Sequence, residues 1–550
     1  MERFINSLPS IPVVASIFLF IVSILLWRST RFGRHSGPRA VGGAWPIIGH
    51  LHLFSGPGPI HRVLGSLADQ YGPIFTIRMG RAHQKAIVVS KWEIAKECLT
   101  TNDKAFIARR PHTIATETLG YNYSVFGFTP YGHYWRQMRK LATLELLSSA
   151  RLELLRPVRA EETRVAVRGL YELWGRAGQT QSQKLELYDL WRQARKGGKN
   201  DTVSVEMMGW FGDVALNGIL RVVFGKRVGY YTSRDEESAK LKKLVRDYFD
   251  SVEKFGVGDV FPWLRRFDIG GHEESLKRIA KDLDDVVHEW LREHKESRCD
   301  GGGTTEKLDG DDFMGVLLSI LDEYGAERHD ADAVNKATCV GLVLGASDSS
   351  TVVMSWALSL LMNHPEALKK AQIELEDLVG MERQVQESDL PNLHYLQAVV
   401  KETFRLYPPV PVNMRGPSGE DCVVAGRHIP KGTQLVLNYF KLQRDPHVWV
   451  EPNEFRPERF LTTTHKNVDV KGQDFELLPF GAGRRMCPGV SFALHVVQLT
   501  LATLLQGFDF RTTTFSGAKV DMGEAMGSTY QRASPLEVLL SPRLPSHLYG

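Results

Sequence analysis

Residues 480–489 read Phe-Gly-Ala-Gly-Arg-Arg-Met-Cys-Pro-Gly, and no other stretch restricts the fold as tightly. A single cysteine, Cys487, stands between a glycine-rich loop and the start of an apolar helical pattern at Val490. Gly481, Gly483 and Gly489 permit backbone angles and close approaches that a side chain forbids. A large flat ligand can then lie against bare backbone with the sulfur pointing at its centre. Pro488 lacks an N–H and suits the first turn of the following helix. The positive end of that helix favours an anionic sulfur. The competing reading is a buried, inert cysteine in a glycine-rich turn.

Five positions, Phe480, Gly483, Arg485, Cys487 and Gly489, meet the pattern Phe-x-x-Gly-x-Arg-x-Cys-x-Gly. The stretch resembles the haem-thiolate loop of cytochrome P450 monooxygenases, and the pattern is highly specific. The resemblance implies haem b as cofactor, with Cys487 as the axial ligand of its iron. It also implies a mainly α fold, a large helical domain with a small β-rich N-terminal part, behind one transmembrane helix.

The whole chain is compatible with that reading. No composition break between about residue 60 and residue 545 divides the 550 residues, so one large catalytic domain over 61–550 is the simplest organisation. A net charge of +4 is too mild to imply a nucleic-acid partner. The cysteines, at 98, 299, 339, 422 and 487, are odd in number and scattered, with no zinc spacing or disulfide framework.

Residues 4–27 carry no charge and 11–27 are almost wholly apolar, which suits a membrane helix of about 20 residues. Against a cleaved signal peptide, Glu2-Arg3 is a poor positive start and no small-x-small cleavage site follows Trp27. Arg28, Arg31 and Arg34 follow the segment, so the body is expected on the cytosolic side. A basic, Pro- and Gly-rich hinge occupies 28–60. Its run Gly-Ala-Trp-Pro-Ile-Ile-Gly-His at 43–50 resembles the hinge of plant microsomal members. Residues 74–79 and 86–89 read as short strands.

Trp135 and Arg139 are four apart and share a helix face. Alone they would be an amphipathic surface pair. The resemblance implies that they bind a haem propionate, for which a guanidinium fork is suited. Residues 121–130, aromatic and glycine-rich, are expected to line the substrate. Polar runs at 179–201 and 299–312 read as surface connectors. Segments 211–224 and 255–263 between them are expected to roof the substrate cavity.

Residues 337–362 carry one charge, Asp348, and could pass for a second membrane span. Seven serines or threonines and two glycines make a long buried core helix the better reading. An acid inside such a helix is costly and tends to be functional. Gly345-Ala346-Ser347-Asp348-Ser349-Ser350 resembles the family's oxygen-activation motif, with Ala346 in place of glycine and Ser349 in place of threonine. Splitting dioxygen requires two protons on its outer oxygen, and the resemblance gives Asp348 and Ser349 that task. A polar notch that merely bends the helix is the alternative.

Glu402 and Arg405 lie three apart on one helix face, and Arg459 follows in Phe-Arg-Pro-Glu-Arg-Phe at 455–460. The resemblance implies a structural network of Glu402, Arg405 and Arg459 behind the haem loop. Residues 410–417 and 525–529 are expected to be irregular cavity loops, with Asn413, Met414, Arg415 and Ser528 as substrate contacts.

The landmarks occur once each, in family order, across nearly the whole chain. Details at 43–50, 471–476 and 542–545 are similar to plant members of specialised metabolism. The expected activity is insertion of one oxygen atom of O2 into a lipophilic plant metabolite, foremost a flavonoid or other phenolic, then an alkaloid, lignan or terpenoid. Electrons would come from NADPH through a separate P450 reductase, with cytochrome b5 as a second partner, at the endoplasmic-reticulum membrane. The rival classes are a haem-thiolate hydroperoxide isomerase or dehydratase, which needs no NADPH, and a non-enzymatic haem carrier, which needs a second iron ligand.

Overall fold

The computed structural model describes residues 37–550 apart from 46–47, 55, 57, 80–84, 109–112, 185–201, 231–234, 253, 255, 300–311, 325–329, 514–518 and 528. The expected anchor at 4–27, the basic residues that follow it, most of both polar connectors and Ser528 lie outside the described residues.

A five-stranded sheet joins distant parts of the chain. Its strands are β1 (Arg39–Ala40), β2 (Ile74–Arg78), β3 (Lys85–Val89), β4 (Val412–Pro417) and β5 (Gln434–Asn438), in the order β1-β2-β3-β5-β4. The β2–β3 and β4–β5 pairs are antiparallel, and β3–β5 is parallel. Strands β3 and β5 are buried along nearly their whole length, as expected for the centre of a covered sheet. Residues 412–417 are therefore a strand, not an irregular loop. Pairing with β5 supplies backbone partners that local sequence does not announce. A bulge between Arg415 and Pro417 shifts the register, and Gly416 N donates to Ala108 O at 2.8 Å.

Helix α1 (Ile60–Tyr71) lies against this sheet, and α2 (His133–Leu141) carries Trp135 and Arg139. The centre of the body is made by α3 (Met207–Phe224), α4 (Ala331–Asn363), α5 (His394–Leu406) and α6 (Val490–Gly507). By length and composition α3, α4 and α6 could each cross a membrane. They are packed inside the body instead, with 78%, 67% and 72% of their most apolar windows buried.

Helix α3 begins where the Glu206 carboxylate accepts from Met208 N and Gly209 N at 3.0 and 2.7 Å. It ends at Gly225, whose φ of 65° makes a left-handed cap. Buried along almost its whole length, it packs in the core against α4. The expectation for 211–224 is corrected accordingly. The neighbouring turn Pro262–Phe267 does sit at the surface, with Trp263 exposed.

Helix α4 is 33 residues long, capped by the Asp330 carboxylate accepting from Asp332 N. Most of its hydroxyls are compatible with burial because they bond their own helix. Thr338, Ser349, Thr351, Ser355 and Ser359 donate to the carbonyl four residues earlier, at 2.7–3.0 Å. The polar side chains therefore bring few unmet donors into the core.

The hinge rests on the sheet. His50 is buried; its Nδ1 accepts from Arg78 N at 2.9 Å and its Nε2 donates to Gly42 O at 3.2 Å. Gly49 has φ 62°, and a Cβ there would sit 2.5 Å from Arg78 O. Exposed Trp45 stacks on His52 at 4.9 Å between ring centroids.

Candidate active site

Local backbone rules shape the cysteine loop. Gly481 and Gly483 adopt φ of 69° and 71°, open to glycine at little cost. A Cβ on Gly483 would meet Asp103 Oδ1 at 2.6 Å and Leu99 O at 2.7 Å. Phe480 O accepts from Cys487 N at 3.0 Å, closing the loop, while its ring packs on Phe404, 5.0 Å between centroids. Gly489 is the N-cap of α6 and has no side chain to satisfy the first-turn N–H groups. Its Cβ position lies 3.9 Å from Cys487 Sγ, so the half-buried sulfur sits beside that open helix end.

Three guanidiniums gather at this loop. Arg485 donates to Thr129 O at 2.8 Å and to Ile107 O at 3.2 Å, and lies 4.3 Å from the centroid of the buried Trp135 ring. Arg139, half-buried, lies 6.0 Å from the same ring. Burial depresses the Arg139 guanidinium, and the Cys487 sulfur nearby acts in the opposite sense. Arg415, only 2% exposed, reaches Ala482 O with Nη2 at 3.4 Å. Its Nε and Nη1 are buried and have no hydrogen-bond partner among the described residues. Burial lowers its pKa too, with Tyr439 and Asp103 opposing.

A buried cation with unmet donors is expensive unless an anion meets it. An anionic, carboxylate-bearing group lying between the sulfur and these arginines fits that requirement. Among the described residues no three His, Cys, Asp or Glu side chains are grouped to hold a bare metal ion. A lone thiolate matches an iron whose other ligands belong to a macrocycle. Arg415 thus stands at the cysteine loop and not, as expected, among substrate contacts. The β4 register turns it inward, which residue type alone cannot reveal.

Asp348 and Ser349 share one turn of α4. Ser349 Oγ donates to Gly345 O at 3.0 Å, leaving its oxygen able to accept. Gly345 is exposed, with nothing within 4 Å of its Cβ position, so the helix backbone is open on this face. Ala346 packs against an apolar cluster. Asp348 Oδ1 accepts from Gln531 Nε2 at 3.0 Å. Gln531 carried no signal in the sequence, since it lies 183 residues away in an irregular turn.

Behind the loop, Glu402 and Arg405 are fully buried and bond through both carboxylate oxygens, at 2.7 and 2.8 Å. Arg459 Nε donates to Glu402 Oε1 at 3.0 Å. Arg405 also donates to Gln443 O and Pro452 O. Buried Gln443 returns Nε2 bonds to Phe404 O and Arg405 O, while its Oε1 accepts from Leu478 N at 2.8 Å. The network thereby holds the segment leading into the cysteine loop. Gln443 is a second position that sequence reasoning missed.

The cytochrome P450 family model matches residues 40–534. This chain belongs to the cytochrome P450 family. Relatives cover almost all of it. It is 48% identical over 540 residues to a strychnine-10-hydroxylase of Strychnos nux-vomica, covering 97% of each. It is 46% identical to a flavonoid-6-hydroxylase of Mentha piperita, covering 97% and 98%, and 44% identical to a xanthotoxin 5-hydroxylase of Arabidopsis thaliana, covering 99% of each. A solved zebra fish cytochrome P450 with progesterone is 24% identical, with a TM-score of 0.68, covering 88% of this chain and 100% of the other. That likeness speaks to the fold. As a P450 the protein is a monooxygenase with a cysteine-ligated haem, a reductase as redox partner and a small molecule as substrate.

Proposed function

We propose that this P450 is an anchored endoplasmic-reticulum enzyme that hydroxylates a lipophilic plant metabolite, a flavonoid or other phenolic in the first place. NADPH supplies the electrons through a separate reductase, with cytochrome b5 as an accessory donor. The convergence of Arg139, Arg415 and Arg485 on the Cys487 loop carries this reading. An alkaloid is the second substrate class, supported by the 48% identity to the strychnine hydroxylase. Residues 4–27 serve as the single anchor, with the body of 61–550 in the cytosol.

Each residue has a stated task. Cys487 would hold the haem iron through its sulfur, which the open N-terminus of α6 favours as the anion. Arg139 and Arg415 would meet the cofactor's carboxylates, with the Trp135 ring beside the Arg139 and Arg485 guanidiniums. Gly483 and Gly489 let backbone approach the ring, and Phe480 and Arg485 hold the loop against the body. When bound, the haem supplies the iron at which dioxygen is reduced and cleaved. Asp348 passes protons inward and Ser349 accepts and donates hydrogen bonds on the open face of α4. Glu402, Arg405 and Arg459 stay structural.

The test uses microsomes containing this chain and a plant reductase, with NADPH and a panel of flavones, alkaloids, lignans and diterpenes. Products gaining one oxygen are sought by mass spectrometry, with Cys487→Ala as the blank. A product that requires NADPH and Cys487 is expected, first among the flavones. Turnover of a fatty-acid hydroperoxide without NADPH would overturn the reading.

A further inference from the structure

Asp348 is oriented from outside its own helix. Three successive residues near the C-terminus grip one face of α4. Tyr530 O accepts from the Trp356 indole N–H, Gln531 Nε2 donates to Asp348 Oδ1 at 3.0 Å, and Arg532 Nη1 donates to Ser359 Oγ at 2.8 Å. Residues 348, 356 and 359 are eight and eleven apart, about two and three helical turns, so they share that face. Tyr530 and Arg532, on either side of Gln531, are 1% and 5% exposed.

The turn is also fixed from the opposite side. Glu524 bridges Arg532 across the hairpin, and its carboxylate accepts from Tyr530 at 2.8 Å, from His61 at 3.0 Å and from both forks of Arg62 on α1. Ala525 N donates to Gln531 O at 2.9 Å. Residue 531 therefore has a set register and its amide a set reach. Beside the acid, Ser347 is buried with a hydroxyl that has no hydrogen-bond partner among the described residues, a place where an ordered water would be satisfied.

We propose that Gln531 is a positioning residue whose amide holds the Asp348 carboxylate in the orientation from which it relays protons. The proposal rests on the reading of Asp348 as the relay acid. Insertion (RH + O2 + 2 e− + 2 H+ → ROH + H2O) places both protons on the oxygen that leaves as water. Peroxide release (O2 + 2 e− + 2 H+ → H2O2) takes the same two protons, one on each oxygen. Misdirected protons therefore appear as peroxide. Without substrate the competing outcome is full reduction, O2 + 4 e− + 4 H+ → 2 H2O, so peroxide per NADPH reads the relay even before the substrate is known.

The experiment uses the full-length haem-loaded chain with reductase and NADPH, no substrate added. Gln531→Ala and Gln531→Met, the latter keeping length while removing the donor, are expected to raise peroxide per NADPH about threefold, the lower end of the net effect of one intramolecular hydrogen bond. Asp348→Asn is expected to raise it at least as far, and Asp348→Asn/Gln531→Ala no further, because the amide acts only through the acid. The reduced carbon-monoxide band and the amide exchange of residues 524–532 should stay as in the parent chain. A purely structural Gln531 would speed that exchange. The inference falls if Asp348→Asn raises peroxide while neither Gln531 variant does, if the two effects add, or if exchange rises with peroxide in both Gln531 variants. If Asp348→Asn itself changes nothing, the relay reading fails first and takes the inference with it.

Discussion

Gly483 is required on steric grounds: with φ at 71° and backbone and carboxylate oxygens 2.7 and 2.6 Å from a would-be Cβ, alanine cannot be accommodated without moving the loop. Gly483→Ala is expected to abolish most of the reduced carbon-monoxide band at unchanged expression. Arg415 is a case of charge, and Arg415→Met is expected to lower haem content per mole of protein, read by pyridine haemochrome, while the apo-body keeps its helical circular dichroism. Glu524 offers a test of pH. Burial alone would push its carboxyl up, but hydrogen bonds from Arg62, His61 and Tyr530 prevail and hold it at about 2, against an ordinary 4.5. A depressed carboxyl stabilises the fold above its unfolded pKa and loses that contribution as pH falls from 4.5 towards about 2. In Glu524→Gln the thermal midpoint should be lower at neutral pH, corresponding to a loss of about 2 kcal/mol, and should fall less steeply through that window.

Helix α4 shows how one element serves both core and chemistry. Hydroxyl bonds to carbonyls four residues back let it run buried, and the same habit leaves Ser349 an acceptor at the open face beside Gly345. Ser349→Ala should therefore raise peroxide per NADPH, and Ser349→Thr should hold it at or below the parent value, because a β-branched side chain restricts χ1. Helix α5 carries the opposite kind of polar group. Glu402 and Arg405 are fully buried and mutually satisfied, so Glu402→Ala leaves two cations uncompensated and should cost about 3–5 kcal/mol. The readout is loss of soluble haem protein at ordinary growth temperature, with recovery in the cold.

For the whole molecule, hydropathy alone is a poor guide to the membrane. Three described helices are apolar enough to span a bilayer and all are core, so the proposed anchor at 4–27 rests on its own uncharged apolar run, and its orientation on the basic residues that follow. A chain starting at residue 37 is expected to keep its reduced carbon-monoxide band and to be stripped from microsomes by alkaline carbonate, whereas the full chain resists extraction. The body itself is held by long-range pairings. The β3–β5 and β4–β5 ladders join residues 85–89, 412–417 and 434–438, and the Glu524 cluster ties the C-terminal turn to α1.

The sequence by itself determined the family and the features that depend on local rules. Glycines with positive φ, an Arg three residues after a Glu, and a long apolar helix interrupted by one acid are all written in neighbouring residues; Pro488, expected in the first turn of α6, stands just before its N-cap Gly489. Tertiary structure alone decided what depends on register and burial. The strand at 412–417 exists because β5 offers it partners, and its bulge turns Arg415 to the cysteine loop. Helix α3 is core and not roof because α4 covers it, a distinction that a mostly apolar helix cannot express in its own residues. Gln443 and Gln531 matter through partners dozens to nearly two hundred residues away. A neutral amide announces nothing locally, since its meaning lies entirely in which donor or acceptor the folded chain brings within about 3 Å.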